Sequence, residues 1–138
     1  MAAIAQPTTA APASSGKRVW AGRVISGLAV LFLLFDSVIH LLNTSQVVDA
    51  MKHLGYPTGV SPTLGVIELV CLALYLVPRT AIFGAVLFTG YLGGAIASQL
   101  RIEAPLFGFV LFPVYVAILL WGGLYLRDSR VRLLIAPR

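Results

Sequence analysis

Four apolar stretches, each bounded by charged or turn-forming residues, limit what this chain can fold into more than any other feature. They cover residues 24–42, 63–77, 80–99 and 105–126. A helix needs about 20 mostly apolar residues to cross the hydrocarbon core of a bilayer. Only 11% of the residues are charged, whereas a soluble domain has about 25%. The sequence therefore predicts an all-α membrane protein with a bundle of four transmembrane helices, in which neighbouring helices are antiparallel.

Segments of different composition flank these stretches. Residues 1–18 begin with a run of Ala, Pro, Ser and Thr, which predicts a disordered N-terminal tail. The predicted four-helix transmembrane domain covers residues 19–132, and residues 133–138 form a predicted C-terminal tail. The stretch beginning at residue 24 follows basic residues, as in a secretory signal. It is too long for a signal peptide and no cleavage site follows it, so we expect it to remain as the first helix.

Finer features of the helices follow from local patterns. Between the first two stretches, a short interfacial helix that ends at Gly55 is predicted by helical spacing of Val47, Val48, Met51 and Leu54. Pro113 predicts a kink of the fourth helix near mid-membrane. Small residues recur every four positions on the third helix, which predicts close packing against another helix of the chain, or alternatively dimerisation. One row is Ala81, Ala85, Thr89, Gly93 and Ala97, and the second is Gly90, Gly94 and Ser98.

Basic residues predict the orientation of the chain in the membrane. They are concentrated before the first stretch, in the turn after the second and after the fourth, while the two remaining loops hold only Lys52 and Arg101. Because short cytoplasmic flanks are rich in Lys and Arg, both termini should be cytoplasmic in a multi-pass protein of the bacterial inner membrane. The net charge of +5 is too dispersed for nucleic acid, and anionic lipid headgroups are its expected partner.

Three ionisable residues lie inside the apolar stretches, where a charged side chain costs at least about 2.5 kcal/mol and marks a candidate functional site. Asp36 and His40 are four residues apart, so they share a helical face and can hydrogen-bond directly. Glu68 lies in the second stretch. At 1.5 Å per residue, Asp36, His40 and Glu68 lie about 9, 3 and 7 Å below the outer ends of their helices.

These depths predict a polar pocket that opens outward or sideways into the outer leaflet. Gln99 and Arg101 close the outer end of the third helix, so five polar groups from three helices share the outer half of the bilayer. We expect none in the inner half. Tyr91 and Tyr115 are expected either to line the pocket with their hydroxyl groups or to be packed aromatic residues. The predicted ligand-binding residues are Asp36, His40, Glu68, Tyr91, Gln99, Arg101 and Tyr115.

The candidate catalytic residues are Asp36, His40 and Glu68. An Asp–His pair can orient an imidazole for proton transfer, and a partly buried carboxyl group can exchange protons near neutral pH. Together they would move protons to or from a lipophilic substrate such as a quinone or an isoprenoid. The alternative is a polar network that fixes helix register, with Arg101 paired to Glu103 or Glu68. No metal site is predicted, because the paired Glu-x-x-His motifs of di-iron bundles are missing.

Three segments resemble the short DoxX-like family of bacterial membrane proteins: residues 54–57, residues 64–101 and residues 111–128. They carry, in order, a Pro-Arg turn, a Gly-Tyr-x-Gly-Gly segment and a Trp-Gly-Gly segment. The resemblance covers residues 24–132 and implies a four-helix membrane fold. The broader DoxX group includes a subunit of a thiosulfate:quinone oxidoreductase and a membrane partner in oxidative-stress complexes. The resemblance implies less about activity than about fold, because most short members have no assigned reaction, and it assigns no catalytic residue.

The sequence thus favours a membrane protein that binds a quinone-like or other lipophilic small molecule in membrane-associated redox chemistry. One alternative is a non-catalytic membrane subunit or assembly factor that packs against a partner protein. Another is an isoprenoid isomerase or cyclase. The expected partners are the lipid bilayer, a lipophilic small molecule, and either a second copy of the chain or a redox partner protein.

Overall fold

The computed structural model describes residues 16–136, which form six α-helices, one π-helical turn and no strand. The all-α prediction is therefore confirmed for this part of the chain, while the predicted tail over residues 1–15 lies outside it. The π-helical turn, Leu106–Val110, directly precedes the fifth helix. The helices are α1 (Gly16–Leu42), α2 (Ser45–His53), α3 (Ser61–Leu76), α4 (Ala81–Arg101), α5 (Phe112–Arg127) and α6 (Ser129–Ile135).

Three segments are long and apolar enough to cross a membrane: Gly16–Leu42, Ala81–Arg101 and Leu106–Arg127. The apolar helix α3 has 16 residues, which corresponds to a length of about 24 Å. Helix α1 begins before the predicted transmembrane boundary, so residues 16–18 are helical. Helix α6 likewise extends through residues 133–135. The short helix expected between the first two apolar stretches is α2, which ends at His53, one residue before Leu54.

The four longer helices contact one another in a closed order, with α1 against α3 and α5, and α4 against α3 and α5. Glycines bring three of these pairs together. A Cβ atom on Gly22 of α1 would lie 2.8 Å from the Gly123 carbonyl oxygen of α5. A Cβ atom on Gly65 of α3 would lie 2.9 Å from the Ser37 carbonyl oxygen of α1. Such close approaches hold helices together where lipid provides no hydrophobic drive for association.

The prediction of one continuous packing row on α4 was wrong beyond its first half. Ala81 and Ala85 are fully buried, but Gly93 and Ala97 are exposed, and a Cβ atom on Gly93 would have no contact within 4 Å. Four residues advance about 400° around a helix, so each step of the row rotates it by about 40°. The fifth member therefore faces away from the first. Gly84, outside either row, makes the closest contact with α3.

The fourth apolar stretch changes helix type beside its proline. The amide groups of Val110 and Leu111 donate to carbonyl oxygens five residues earlier, at 3.3 and 2.9 Å. Helix α5 then begins at Phe112 and has Pro113 in its first turn. Proline is well tolerated there because amide groups in the first turn have no intrahelical acceptor. The structure therefore places a π-helical turn and a new helix start where the sequence predicted a kink.

A polar cluster lies in the half of the helix assembly that was expected to hold none. The fully buried Tyr75 donates its hydroxyl to the Leu120 carbonyl oxygen at 2.7 Å and lies 3.0 Å from the Ser26 hydroxyl. The Arg127 side chain donates to Ser26 at 3.1 Å and stands 5.1 Å from the centre of the Tyr75 ring. The expectation of no polar groups in this half was wrong, because Arg127, at the end of α5, turns its side chain toward the neighbouring helices.

Candidate ligand-binding site

A cavity of about 610 Å³ lies among α1, α3, α4, the π-helical turn and α5, and the loop after α2 covers part of it. Five of the seven predicted site residues line it: Asp36, His40, Glu68, Tyr91 and Gln99. The structure thus brings together the ionisable residues of the first and second apolar stretches. Arg101 and Tyr115 do not line the cavity.

Glu68 lies in the cavity wall and is fully buried. It belongs to the buried face of α3 together with Gly65 and Leu72, at the spacing of successive helical turns. The Tyr91 hydroxyl donates to Glu68 Oε2 at 3.4 Å. Glu68 Oε1 has no hydrogen-bond partner among residues 16–136. A buried oxygen without a partner is costly, so this carboxyl group has unused capacity to bind a polar group that enters the cavity.

His40 is fixed by the first turn of α3. Its Nδ1 lies 2.8 Å from the Ser61 hydroxyl oxygen, and that hydroxyl donates to the His40 carbonyl oxygen at 3.1 Å. Since Ser61 has only one hydroxyl hydrogen, Nδ1 of His40 must be the donor in the first contact. Nε2 is then free to face Asp36, and its distance to Asp36 Oδ2 is 3.7 Å.

The predicted direct hydrogen bond between Asp36 and His40 is therefore absent, because 3.7 Å exceeds hydrogen-bonding distance. Helical spacing brought the two groups together, but the bond to Ser61 determines how the imidazole ring is turned. The Asp36 carboxyl group is also close enough to interact with that of Glu68. The cavity therefore brings two carboxyl groups and one imidazole together.

The loop after α2 is attached to the end of α4 by two contacts. The Tyr56 hydroxyl lies 2.6 Å from Ser98 Oγ, which itself donates to the Gly94 carbonyl oxygen at 2.8 Å, so Tyr56 is the donor to Ser98. The Arg101 side chain donates to the Leu54 carbonyl oxygen and stands 5.8 Å from the centre of the Tyr56 ring. These contacts hold the loop against the cavity, which Leu54 and Tyr56 help to line.

This attachment of the loop to α4 was not predicted from the sequence. Arg101 was expected to pair with Glu103 or Glu68, and the structure shows neither ion pair among the residues it describes. The available signal was the Gly55-Tyr56 pair, because Gly55 has a φ of +74° that favours glycine and turns the chain back toward α4. A tyrosine directly after such a turn was a candidate contact with a neighbouring helix.

The remaining cavity wall is apolar. The Phe32 and Phe112 rings meet edge to face with their centroids 5.3 Å apart, and both residues line the cavity. Phe109 and Val116 line it as well. Tyr115 lies outside, where its hydroxyl donates to the Phe107 carbonyl oxygen at 3.2 Å. A cavity that is largely apolar and carries a few convergent polar groups is typical of small-molecule sites.

The chain matches a known protein family over most of its length. Residues 24–123, more than two thirds of the chain, match the sequence profile of the DoxX-like family. The resemblance inferred from the sequence is therefore confirmed. The matched region contains Asp36, His40 and Glu68. No curated protein and no solved structure matches the chain.

Proposed function

The chain belongs to the DoxX-like family of proteins, and from that premise we propose that it binds a quinone-like lipophilic molecule in membrane-associated redox chemistry. We further propose that α3 is the fourth membrane-spanning helix and that both termini are cytoplasmic. The protein is then a multi-pass protein of the bacterial inner membrane, with the cavity in the outer half of the bilayer. The distribution of Lys and Arg in the flanks supports this orientation.

The observation that carries the proposal is the composition of one cavity wall. Asp36, His40 and Glu68 converge on a cavity of about 610 Å³ whose other walls are mainly apolar. Drug-sized ligands occupy pockets of about 300–1,000 Å³, with a few polar groups that orient the ligand. A quinone ring fits this pattern because its two carbonyl oxygens accept hydrogen bonds while the rest of the molecule is apolar.

The chemistry assigned to these residues is proton exchange. Reduction of a quinone to a quinol takes up two electrons and two protons, and the electrons would come from a redox partner protein. We assign the first proton to the pair His40 Nε2 and Asp36 Oδ2, which lie 3.7 Å apart, and Ser61 holds the imidazole in place through Nδ1. Glu68 is the second proton-exchanging group, and Tyr91 contacts its carboxyl group. General acid–base groups act within hydrogen-bond reach of the atom that they protonate.

The first test is lipid extraction of the purified protein followed by mass spectrometry, which detects a bound quinone. The second test is titration of the full chain in lipid nanodiscs with a quinone. Asp36→Asn and Glu68→Gln preserve side-chain size and remove the ionisable group. We expect each to weaken quinone binding by about 10- to 100-fold, since a buried polar group left without its partner costs roughly 1–3 kcal/mol. Asp49→Asn and Glu103→Gln are matched controls, because both parent side chains are exposed and outside this cavity.

Two results would contradict the proposal. The first is that no quinone copurifies and none binds to the parent protein. The second is that Asp36→Asn and Glu68→Gln bind quinone as tightly as the two controls, which would mean that the cluster only fixes helix register. Copurification of an isoprenoid without a quinone ring would instead favour the alternative that the protein is an isoprenoid isomerase or cyclase.

The exposed part of α4 favours a second candidate function, that of a membrane subunit. Gly93 and Ala97 are exposed, and a Cβ atom on Gly93 would have open space around it. Exposed small residues allow a second helix to approach closely. The partner would be a redox protein or a second copy of the chain. This candidate predicts that loss of the Asp36 charge leaves assembly with the partner intact.

A further inference from the structure

The cavity has a second region that the proton-exchanging residues do not explain. Phe32, Phe112 and Val116 line its apolar end, and Phe32 and Phe112 are partly exposed. Phe32 lies ten residues before the end of α1, a distance of about 15 Å along the helix. That is half of a hydrocarbon core about 30 Å thick. With α1 across the membrane, this end of the cavity lies at the depth of the lipid tails.

Three glycines of the cavity wall differ from the glycines at helix contacts. Gly90, Gly94 and Gly108 line the cavity and are exposed, and a Cβ atom on any of them would meet nothing within 4 Å. Gly22 and Gly65 have the opposite environment, because an added Cβ atom would overlap the backbone of a neighbouring helix. The first three are therefore not required for helix packing. Their effect is to leave the cavity wide and open where α4 and the π-helical turn border it.

The depth of these glycines determines which medium the opening meets. Gly94 lies seven residues before the end of α4, and Gly90 lies eleven residues before it. At 1.5 Å per residue they are about 10 and 16 Å below the end of that helix. One turn beyond Gly94, on the side of that helix end, Tyr56 and its bond to Ser98 cover the cavity. With α4 across the membrane, a molecule that passes the glycines therefore comes from the hydrocarbon layer rather than from water.

We infer that the ligand is a lipid with a polar head and a long apolar tail, which enters the cavity sideways from the bilayer along Gly90, Gly94 and Gly108. The head reaches Asp36 and His40, and the tail lies along the glycine-lined opening and extends into the membrane. A cavity of about 610 Å³ suits a drug-sized molecule and is too small for a complete polyprenyl tail. This inference rests on the proposed quinone-binding function and specifies the ligand class and its route.

Gly94→Leu tests the route, because a Cβ atom at this position meets nothing within 4 Å and a leucine side chain adds bulk where Gly94 lines the cavity. Gly93→Leu is the matched control, since Gly93 is the adjacent exposed glycine and does not line the cavity. The probes are a long-tailed ubiquinone and the same ring without its tail, each titrated against the full chain in nanodiscs. We expect Gly94→Leu to weaken binding of the tailed probe by about tenfold or more, as for overfilling of a packed site, and that of the tailless probe by less than about twofold.

The titration distinguishes failure of the entry route from failure of the proposed function. If the parent protein binds the tailed probe and Gly94→Leu binds it equally tightly, the entry route is overturned and the proposed function is unaffected. Equal losses for both probes also overturn it, because Gly94 would then contact the head. The same loss in Gly93→Leu shows a general effect of leucine on this helix and overturns it too. A parent protein that binds neither probe refutes the proposed function, and the assignment of a quinone tail is refuted with it.

A second measurement examines the opening without any quinone. Cys71 is buried and can be replaced by alanine, so that a spin label on Gly94→Cys is the only label in the protein. We expect the label to be relaxed more by oxygen, which concentrates in lipid, than by a water-soluble nickel complex. The reverse order would show that the opening meets water and would overturn lateral entry. A lipid-facing label in a protein that binds no quinone would support the opening and reject the quinone head.

Discussion

Replacing Gly84 by alanine should destabilise the protein, because α3 and α4 are in contact through backbone atoms at this position. An added Cβ atom would lie 2.7 Å from Tyr75 Cα and 2.8 Å from the Leu74 carbonyl carbon. Both distances are shorter than ordinary van der Waals contacts of about 3.5–4.0 Å. Because the opposing atoms belong to the backbone of α3, rotation of a side chain cannot relieve the overlap. The two helices would have to move apart.

The magnitude follows from two opposing effects. Overfilling a packed contact costs about 1–3 kcal/mol, and the upper end applies when the neighbour is rigid backbone. Alanine gains roughly 1 kcal/mol over glycine within a helix. The expected net loss for Gly84→Ala is therefore about 2 kcal/mol. Gly93→Ala gains the same helical preference without any overlap, so the two variants should differ by about 3 kcal/mol.

The assay is unfolding of the purified full chain in mixed micelles of mild detergent and SDS, followed by the helical circular dichroism signal. Gly84→Ala should unfold at a lower SDS fraction than the parent protein, and Gly93→Ala at an equal or higher one. If both variants unfold together with the parent, the α3–α4 contact is not as close as described. The reasoning about glycine as the contact residue would then be refuted.

Two further predictions concern polar contacts outside the cavity. Tyr75→Phe removes the buried hydroxyl that donates to the Leu120 carbonyl oxygen and should cost about 1–3 kcal/mol in the same SDS assay, whereas Tyr115→Phe, at a half-exposed site, should change stability by less than about 0.5 kcal/mol. Hydrogen bonds from the Arg130 side chain hold the pKa of the Asp128 carboxyl group below its ordinary value, which is about 3.9. The stabilisation by Asp128 should therefore be complete above that pH and be lost as the pH falls through the lower folded-state pKa. Circular dichroism during acid titration measures this loss, and Asp128→Asn should not show it.

The helices and part of the site could be predicted because their signals are local. An apolar run of about 20 residues indicates a helix that can span a membrane. The structure has three such segments, and a shorter apolar helix lies between the first and the second. Asp36 and His40 could be placed on one face because four residues advance about one helical turn. Counting depth from the helix ends also brought Glu68 to the same level, and it lines the same cavity.

Contacts between helices could not be predicted, because they depend on how each helix is rotated and on which partner a side chain selects. His40 bonds to Ser61 rather than to Asp36, a choice between two acceptors that spacing along one helix does not reveal. Arg101 reaches the backbone of a loop 47 residues away in sequence. Gly93 shares the four-residue spacing of the buried Ala85 and is exposed. A row of small residues indicates close packing without specifying where along the helix it ends.

The shortness of α3 has a consequence for the membrane itself. With 16 residues, it is about 24 Å long and falls roughly 6 Å short of a typical hydrocarbon core. Val66, Ile67 and Val70 of α3 are exposed, so with α3 across the membrane, as proposed above, lipid meets this helix directly. Hydrophobic mismatch of this sign is relieved by local thinning of the bilayer. We therefore expect the protein to prefer lipids with short acyl chains and to collect in the thinner regions of a membrane of mixed composition.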